Sequence, residues 1–177
     1  MKALVVYESM YGNTREVAEG VAEGLRSASV DTELMPARDA HHEHVAEVDL
    51  LVIGGPTHAH SMTRPNTRHA AVEQADSHGL TVEDDSEATG VREWLEGLPA
   101  MSGTSAAAFD TRVDIARLLS GQASRAIAKN LRGHGFHLVL APESFLVDSK
   151  TVLLEGERTR AVGWGKDLAR AITQVLA

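Results

Sequence analysis

Apolar positions along this chain fall into short unbroken runs separated by stretches with a helical repeat. Ala3-Leu4-Val5-Val6-Tyr7, Leu50-Leu51-Val52-Ile53 and His137-Leu138-Val139-Leu140 are continuous rather than alternating. Strands read this way when a parallel sheet is covered on both faces. The pattern predicts strands at Lys2 to Glu8, Asp31 to Pro36, Leu50 to Gly54, Ser105 to Phe109 and Phe136 to Ala141, with gaps long enough for crossover helices. That alternation is the signature of an α/β fold.

Between the strands, Val17, Val21 and Leu25 share one stripe, while Arg15, Glu16, Glu19, Glu23 and Arg26 lie on other faces, so this helix is expected to pack on the sheet. A second helix is predicted from Gln122 to Arg132, presenting Ala123, Ile127 and Leu131, with Gly133 as a left-handed C-terminal cap. The last helix begins near Thr159 and shows Val162, Leu168, Ile172 and Val175, with Trp164 and Leu176 near the same face. Val91, Trp94, Leu95 and Leu98 predict a helix ending before Pro99, and both tryptophans are expected at core edges.

Two stretches exceed a minimal domain of this kind. In Thr57 to Gly90, Pro65 suits the first turn of a helix from about Asn66 to Ser77, and the acidic run Val82 to Glu87 is expected to be solvated. In Pro142 to Glu157, Ser144-Phe145-Leu146-Val147 and Thr151-Val152-Leu153-Leu154 flank Asp148-Ser149-Lys150 and predict a hairpin on or beside the last strand.

Composition narrows the function. The 177 residues suit one domain spanning 1–177, and no apolar run approaches the ~20 residues of a membrane span. Met1-Lys2 leads directly into the first strand, leaving no room for a signal peptide, so the expected location is cytoplasmic, without a membrane partner. The absence of cysteine excludes disulfides, thiolate metal sites, Cys-ligated iron–sulfur clusters and a cysteine nucleophile; redox chemistry would need a bound cofactor. A formal net charge of −8 argues against nucleic-acid binding and admits a basic partner protein.

The chemistry concentrates in Ser9-Met10-Tyr11-Gly12-Asn13-Thr14, where the first strand gives way to the first helix. Unpaired N–H groups, the positive end of a helix dipole and small hydroxyls suit a phosphate there. An ordinary helix start, with Asn13 as N-cap and Glu16 as its capping-box partner, explains the hexapeptide equally well on its own. Two further loops should stand at the same edge of the sheet: Gly54-Gly55-Pro56-Thr57-His58 after the third strand and Phe109-Asp110-Thr111-Arg112 after the fourth.

From Lys2 to the last helix the chain resembles the flavodoxin family, and the hydroxyl-x-x-Gly-Asn-Thr loop resembles its phosphate loop. The resemblance implies a flavodoxin-like three-layer sandwich around a five-stranded parallel sheet of order 2-1-3-4-5; flavodoxins are themselves an example of ligand binding where the strand order reverses. It also implies non-covalent FMN, transferring electrons one or two at a time, with a redox partner protein. Ser9, Tyr11, Gly12, Asn13 and Thr14 would surround the phosphate, with Met10 in the same loop. Gly54, Gly55, Pro56 and Thr57 would flank one side of the flavin, and Phe109, Asp110, Thr111 and Arg112 its pyrimidine and ribityl side. Asp110 and Arg112 fit a loop ion pair equally well. Hydrogen bonding near the flavin N5 and negative charge crowded around the reduced ring are the expected means of tuning it. No side chain is needed as a catalytic acid or base.

The departures from the family matter too. Among seven aromatic residues of the Phe, Tyr and Trp kind, only Tyr11 and Phe109 fall in these loops, leaving His58, Met10 and Met62 to cover the ring. Each missing aromatic contact is worth ~0.5–1.5 kcal/mol. Ser9-Met10-Tyr11-Gly12 also resembles the phosphate loop of FMN-dependent quinone reductases, with Arg64 and Arg68 available for a nicotinamide phosphate, and a cofactor-poor interaction module is a third reading. The clusters His41-His42-Glu43-His44 and His58-Ala59-His60 lack the companion ligands of a metal site, so none is expected. Neither a nucleophile elbow nor a Walker-type phosphate loop is present, and Glu8-Ser9 with Gly54-Gly55 lacks the acidic residues of a phosphorelay receiver.

Overall fold

The computed structural model describes residues 1–84, 86–101 and 103–176. Its strands are β1 (Lys2–Tyr7), β2 (Asp31–Pro36), β3 (Leu50–His58), β4 (Ser61–Met62), β5 (Ser105–Val113), β6 (His137–Leu138) and β7 (Glu143–Val147). The helices are α1 (Asn13–Ser27), α2 (Pro65–Ala75), α3 (Val91–Glu96), α4 (Arg117–Ser120), α5 (Ala123–Gly133) and α6 (Glu157–Leu176).

The parallel sheet runs β2-β1-β3-β5-β6, and β7 also pairs with β5 in parallel. Because β3 occupies one side of β5, β6 and β7 share the other and together hold the place of a fifth strand. The expected order is therefore present, but the fifth strand is interrupted. Ala106 lies opposite Leu138 and Phe109 opposite Glu143, so three steps along β5 match five along its neighbour. The surplus is taken up between Leu138 and Glu143, where Pro142 has no N–H to give a ladder. Glu143–Val147 thus belongs to the main sheet, and the expected hairpin is built on it. The bridge between Val147 and Leu153, the bond from Leu154 N–H to the Leu146 carbonyl (3.0 Å) and the bond from Asp148 N–H to the Val152 carbonyl (2.8 Å) give the return arm its hairpin character.

Residue parity sets the two faces. Ala3, Val5, Leu50, Val52, Ala107 and Phe109 face α1 and α6, packing with Val17, Val21, Leu25, Trp164, Leu168 and Ile172. Leu4, Val6, Leu51, Ile53, Ala106 and Ala108 face α3 and α5, packing with Trp94, Leu95, Ile127 and Leu131. Each such aliphatic side chain contributes ~1.5–3 kcal/mol through burial, which explains why the strand sequences are apolar on both faces.

Several boundaries differ from the sequence pattern. β3 continues beyond Gly54 to His58, and β5 beyond Phe109 to Val113, because the two strands go on pairing through Gly54 with Phe109, Gly55 with Asp110 and Pro56 with Thr111. β3 then folds back on β4 through Ala59 and His60, both at positive φ (45° and 71°). At the end of α5 the left-handed residue is Gly135 (φ 91°), while Gly133 closes the helix itself. Finally, Val175 and Leu176 are exposed, since α6 outruns the core it covers. The helix over Pro65–Ala75 starts with Pro65 in its first turn, as expected. Asp85 of the acidic run lies outside the described residues.

Candidate functional site

The loop after β1 is shaped by Gly12, whose φ of 90° is one that glycine adopts without a Cβ clash. Its N–H donates to Ser9 Oγ (3.1 Å), so Ser9 braces the loop from within. The first bond inside α1 runs from Glu16 N–H to the Gly12 carbonyl (2.9 Å). Ahead of it stand the amides of Asn13, Thr14 and Arg15, which a helix start leaves without intrahelical acceptors and which form the positive end of its dipole. Asn13 is the first helical residue rather than the N-cap, and Gly12, which holds the N-cap position, gives the helix no side-chain cap. The Asn13 amide instead clasps the segment after β7, donating to the Thr151 carbonyl (2.8 Å) and accepting from Leu153 N–H (3.0 Å). Thr14 Oγ1 meets Thr111 Oγ1 at 2.7 Å in the interior, and the Tyr11 hydroxyl donates to the Ala71 carbonyl of α2 (3.0 Å).

Above the carboxyl ends of β1, β3 and β5 these groups border a cavity of about 860 Å³, within the range of ligand pockets. Met10, Tyr11, Asn13 and Thr14 line it from the first loop, Pro56, Thr57, His58 and Ala59 from the end of β3, and Thr111, Arg112 and Val113 from the end of β5. Ser9 braces this wall, and Gly12 opens onto an outer hollow shared with Arg15, Glu16 and Arg158. Met62 is buried in the core and His60 packs its backbone on Gly121, so neither joins the lining. Burial holds the His58 imidazole below its ordinary value, so the ring is neutral near pH 7.

Four residues expected at the cofactor lie inside the fold. Phe109 is fully buried, edge-on to Phe145 and Trp164 with ring centroids 6.1 Å away in each case. Gly54 lies under that ring: a Cβ there would come within 1.9 Å of Phe109 Cζ, so the glycine serves a close packing contact. Gly55 is buried on the same strand. Asp110, one residue on, points to the opposite face, where Oδ2 accepts the Ser124 amide of α5 (2.7 Å). Thr57 Oγ1 accepts the neighbouring Ala123 amide (2.9 Å), so the ends of β3 and β5 cap α5 from outside it. Burial pushes the Asp110 carboxyl above its ordinary value, although these donors oppose the shift. No ion pair joins Asp110 to Arg112 among the described residues.

The roof of the cavity was missed at the level of single residues. Thr67, Ala70, Ala71 and Gln74 of α2 line it, followed by Gly79 and Leu80. Their i, i+3, i+4, i+7 spacing is a helical stripe of small and polar side chains, the signal that could have revealed it. The opposite side of α2 carries Arg68, only 2% exposed and paired with Glu93 (3.1 Å) and Thr63 Oγ1 (3.1 Å). Thr63 donates to Glu8, which also accepts the Val91 amide (2.8 Å). Arg68 is therefore a buried strut between α2, α3 and the end of β1, not an anchor for a nicotinamide phosphate. The acidic run folds over the first loop: Glu83 N–H donates to the Met10 carbonyl (2.9 Å), and its carboxylate pairs with Arg15 (2.6 Å).

Ser149, Lys150, Thr151 and Val152 close the remaining side. Arg112 and Lys150 bring positive charge to the lining, and no carboxylate lines it among the described residues. The expected crowding of negative charge around the site is not present in the wall itself.

The comparisons with known proteins agree with this fold. The flavodoxin family model matches residues 5–112, from β1 through the end of β5. A flavodoxin of Aquifex aeolicus is 42% identical over 57 residues, which are 32% of this chain and 31% of that protein, so the match spans about a third of the curated relative's length. A flavodoxin from the domain Archaea superposes with a TM-score of 0.67 at 21% identity, covering 98% of this chain and 99% of that one. Flavodoxin 1 of Bacillus cereus gives 0.67 at 16% identity over 100% of both chains. With the family model covering more than half of the sequence, including the turn before α1 and the ends of β3 and β5 that face it, the chain belongs to the flavodoxin family.

Proposed function

We propose that the cavity binds FMN non-covalently and that the protein carries electrons to or from a partner protein. Family membership implies a flavin. The observation that supports FMN is the start of α1: unpaired amides at Asn13, Thr14 and Arg15 beside a left-handed Gly12, at the margin of a cavity of about 860 Å³. These groups would hold the phosphate, and Met10, Tyr11, Pro56, Ala70, Ala71 and Val113 offer apolar surface to the ring. When bound, the flavin supplies the one- and two-electron chemistry. The chain orients it through the clasp of Asn13 on Thr151 and Leu153 and the Tyr11 bond to α2, and shields it beneath α2.

The carrier reading is favoured over an NAD(P)H-dependent reductase because one of the two arginines available in the sequence to grip a dinucleotide phosphate, Arg68, is consumed by Glu93 and Thr63, leaving Arg64 by itself. The net charge of −8 favours a basic partner, steered electrostatically and therefore sensitive to salt.

The test is an FMN and riboflavin titration of the purified protein, followed by absorbance between about 350 and 500 nm, where a bound flavin absorbs. FMN is expected to bind at least about tenfold more tightly, since charge-assisted hydrogen bonds are worth ~1.5–3 kcal/mol each. Equal affinity for the two would remove the phosphate site from this reading, and saturable NADH or NADPH turnover would replace the carrier with an enzyme.

A further inference from the structure

The helices around the cavity are held in two different ways. α1 buries Val17, Val21 and Leu25 against the sheet, and α5 buries Ile127 and Leu131. α2, whose Thr67, Ala70, Ala71 and Gln74 roof the cavity, buries only Arg68 and Ala75. It therefore gains little from the apolar packing that fixes most helices in proteins. Polar contacts tie it to the body instead. The Tyr11 hydroxyl donates to the Ala71 carbonyl (3.0 Å), and His69 meets Glu87 (2.6 Å) on exposed surface, where such pairs contribute little. Arg68 is the buried tie: it is 2% exposed, and its Nη1 reaches Glu93 Oε2 (3.1 Å) and Thr63 Oγ1 (3.1 Å), while its Nε has no acceptor.

Both partners of Arg68 stand on fixed ground. Glu93 belongs to α3, which packs Val91, Trp94 and Leu95 into the core. The neighbouring Arg92 donates from Nε to the Thr63 carbonyl (2.8 Å) and from Nη2 to the Met62 carbonyl (2.8 Å), fastening the chain just before α2. Beyond its other end lies Gly79, left-handed at φ 64°, with nothing within 4 Å of a Cβ placed there. α2 is thus an arm with a fastened root, an open far end and one buried ion pair a turn from the root. Gly90 leaves the room for that pair, since a Cβ there would stand 2.5 Å from both Arg68 Nη1 and Glu8 Oε2. A buried ion pair sits close to balance between its Coulomb attraction and the hydration it gives up, so it opens at a smaller net cost than apolar packing does.

We propose that Arg68 is a positioning residue for the cavity: paired with Glu93 and Thr63 it latches α2 over the site, and withdrawn into water it frees α2 to swing as a cover through which a flavin enters and leaves. The ligand in this proposal rests on the FMN reading above, whereas the motion belongs to the empty protein as well. A ligand beneath such a cover exchanges at a rate limited by opening. Loosening the latch therefore speeds entry and exit together, whereas losing a ligand contact speeds exit alone.

The experiment uses the whole chain, first without and then with FMN. In hydrogen exchange of the free protein, the amides of Ala71 to Ala75 are expected to exchange faster than those of Val21 to Leu25. Arg68→Met should quicken the α2 amides at least about tenfold further while those of Val5 and Val6 in β1 keep their protection. In stopped-flow mixing and dilution, followed by flavin fluorescence, the same variant should raise both the association and the dissociation rate constants about tenfold, leaving their ratio within about threefold. Arg68→Lys should restore most of the wild-type rates. Glu93→Gln added to Arg68→Met should bring no further acceleration, because both act through one contact. Gly90→Ala keeps every charge, wedges the pair apart and should raise both rates about threefold, so it carries the test if Arg68→Met fails to fold. Dissociation that quickens alone, α2 amides as protected as those of α1, or exchange that quickens equally in β1 would overturn the proposal. Failure of the wild-type protein to take up FMN while α2 still opens on loss of the latch would overturn the cofactor reading and leave the latch standing.

Discussion

The loop from Ser9 to Thr14 and the wall opposite it, made from the ends of β3 and β5, border the same cavity but were legible to different degrees. β1 ends at Tyr7, within one residue of where its apolar run stops, so the residues after it stand at the margin of the site. β3 and β5 run to His58 and Val113, four residues beyond the ends that their apolar runs suggest at Gly54 and Phe109. That extension lowers Gly54, Gly55, Phe109 and Asp110 between the helical layers and brings Thr57, His58, Arg112 and Val113 to the surface of the cavity. A site at strand ends is thus placed by strand length, which depends on the neighbour's pairing as much as on the strand's own residues.

The largest effect that separates the two regions should come from Phe109→Ala. It is expected to cost about 3–5 kcal/mol of stability, read from urea unfolding, because the ring fills a buried junction with Phe145 and Trp164. FMN affinity of the folded fraction should change little; a variant of wild-type stability that loses FMN would return Phe109 to the cavity wall.

On the loop side, Gly12→Val is expected to act on the cofactor. A β-branched residue at φ 90° strains the backbone by roughly 1–3 kcal/mol, displacing the amides that would meet the phosphate. FMN binding should fall at least about tenfold while riboflavin binding is nearly unchanged, as measured by fluorescence titration. Parallel losses for both ligands would mean that the loop does not read the phosphate.

A smaller effect, about 1–2 kcal/mol, is expected for Asn13→Ala, which removes two hydrogen bonds to the segment after β7 and leaves Leu153 N–H without its partner. Hydrogen exchange should quicken at Leu153 while Ser124, capped from the opposite wall, keeps its protection. Equal acceleration at both would show that the two walls open together.

The smallest difference should be in pH dependence, since each region has one buried carboxyl, Glu8 beside the loop and Asp110 in the wall. Burial raises both above their ordinary values of 4.5 and 3.8, against the hydrogen bonds that favour ionisation. The folded state therefore binds these protons more tightly than the unfolded one. Their contribution to stability is full below the ordinary values and is lost as pH rises through the raised ones. Relative to Glu8→Gln or Asp110→Asn, the wild-type protein should lose urea resistance as pH rises above the ordinary carboxyl values of 4.5 and 3.8; a gain on that rise would contradict the sign.

What the amino-acid sequence determined by itself was local or periodic. Continuous apolar runs placed the buried strands, four-residue spacing placed the inner stripes of α1 and α5, and Gly12 marked the turn that opens α1. In each case the decisive residues are neighbours along the chain, so their chemistry shows without a partner. Only the tertiary structure decided how far β3 and β5 extend, that the fifth strand is broken around Pro142, and that Ala59 and His60 form a turn with none of the usual glycine or asparagine. It also turned Arg68 inward to Glu93 and left Arg112 facing the cavity without a carboxylate. Those outcomes depend on pairing energies and charge contacts between segments far apart in sequence, and burial gives a side chain its role only after the segments have met.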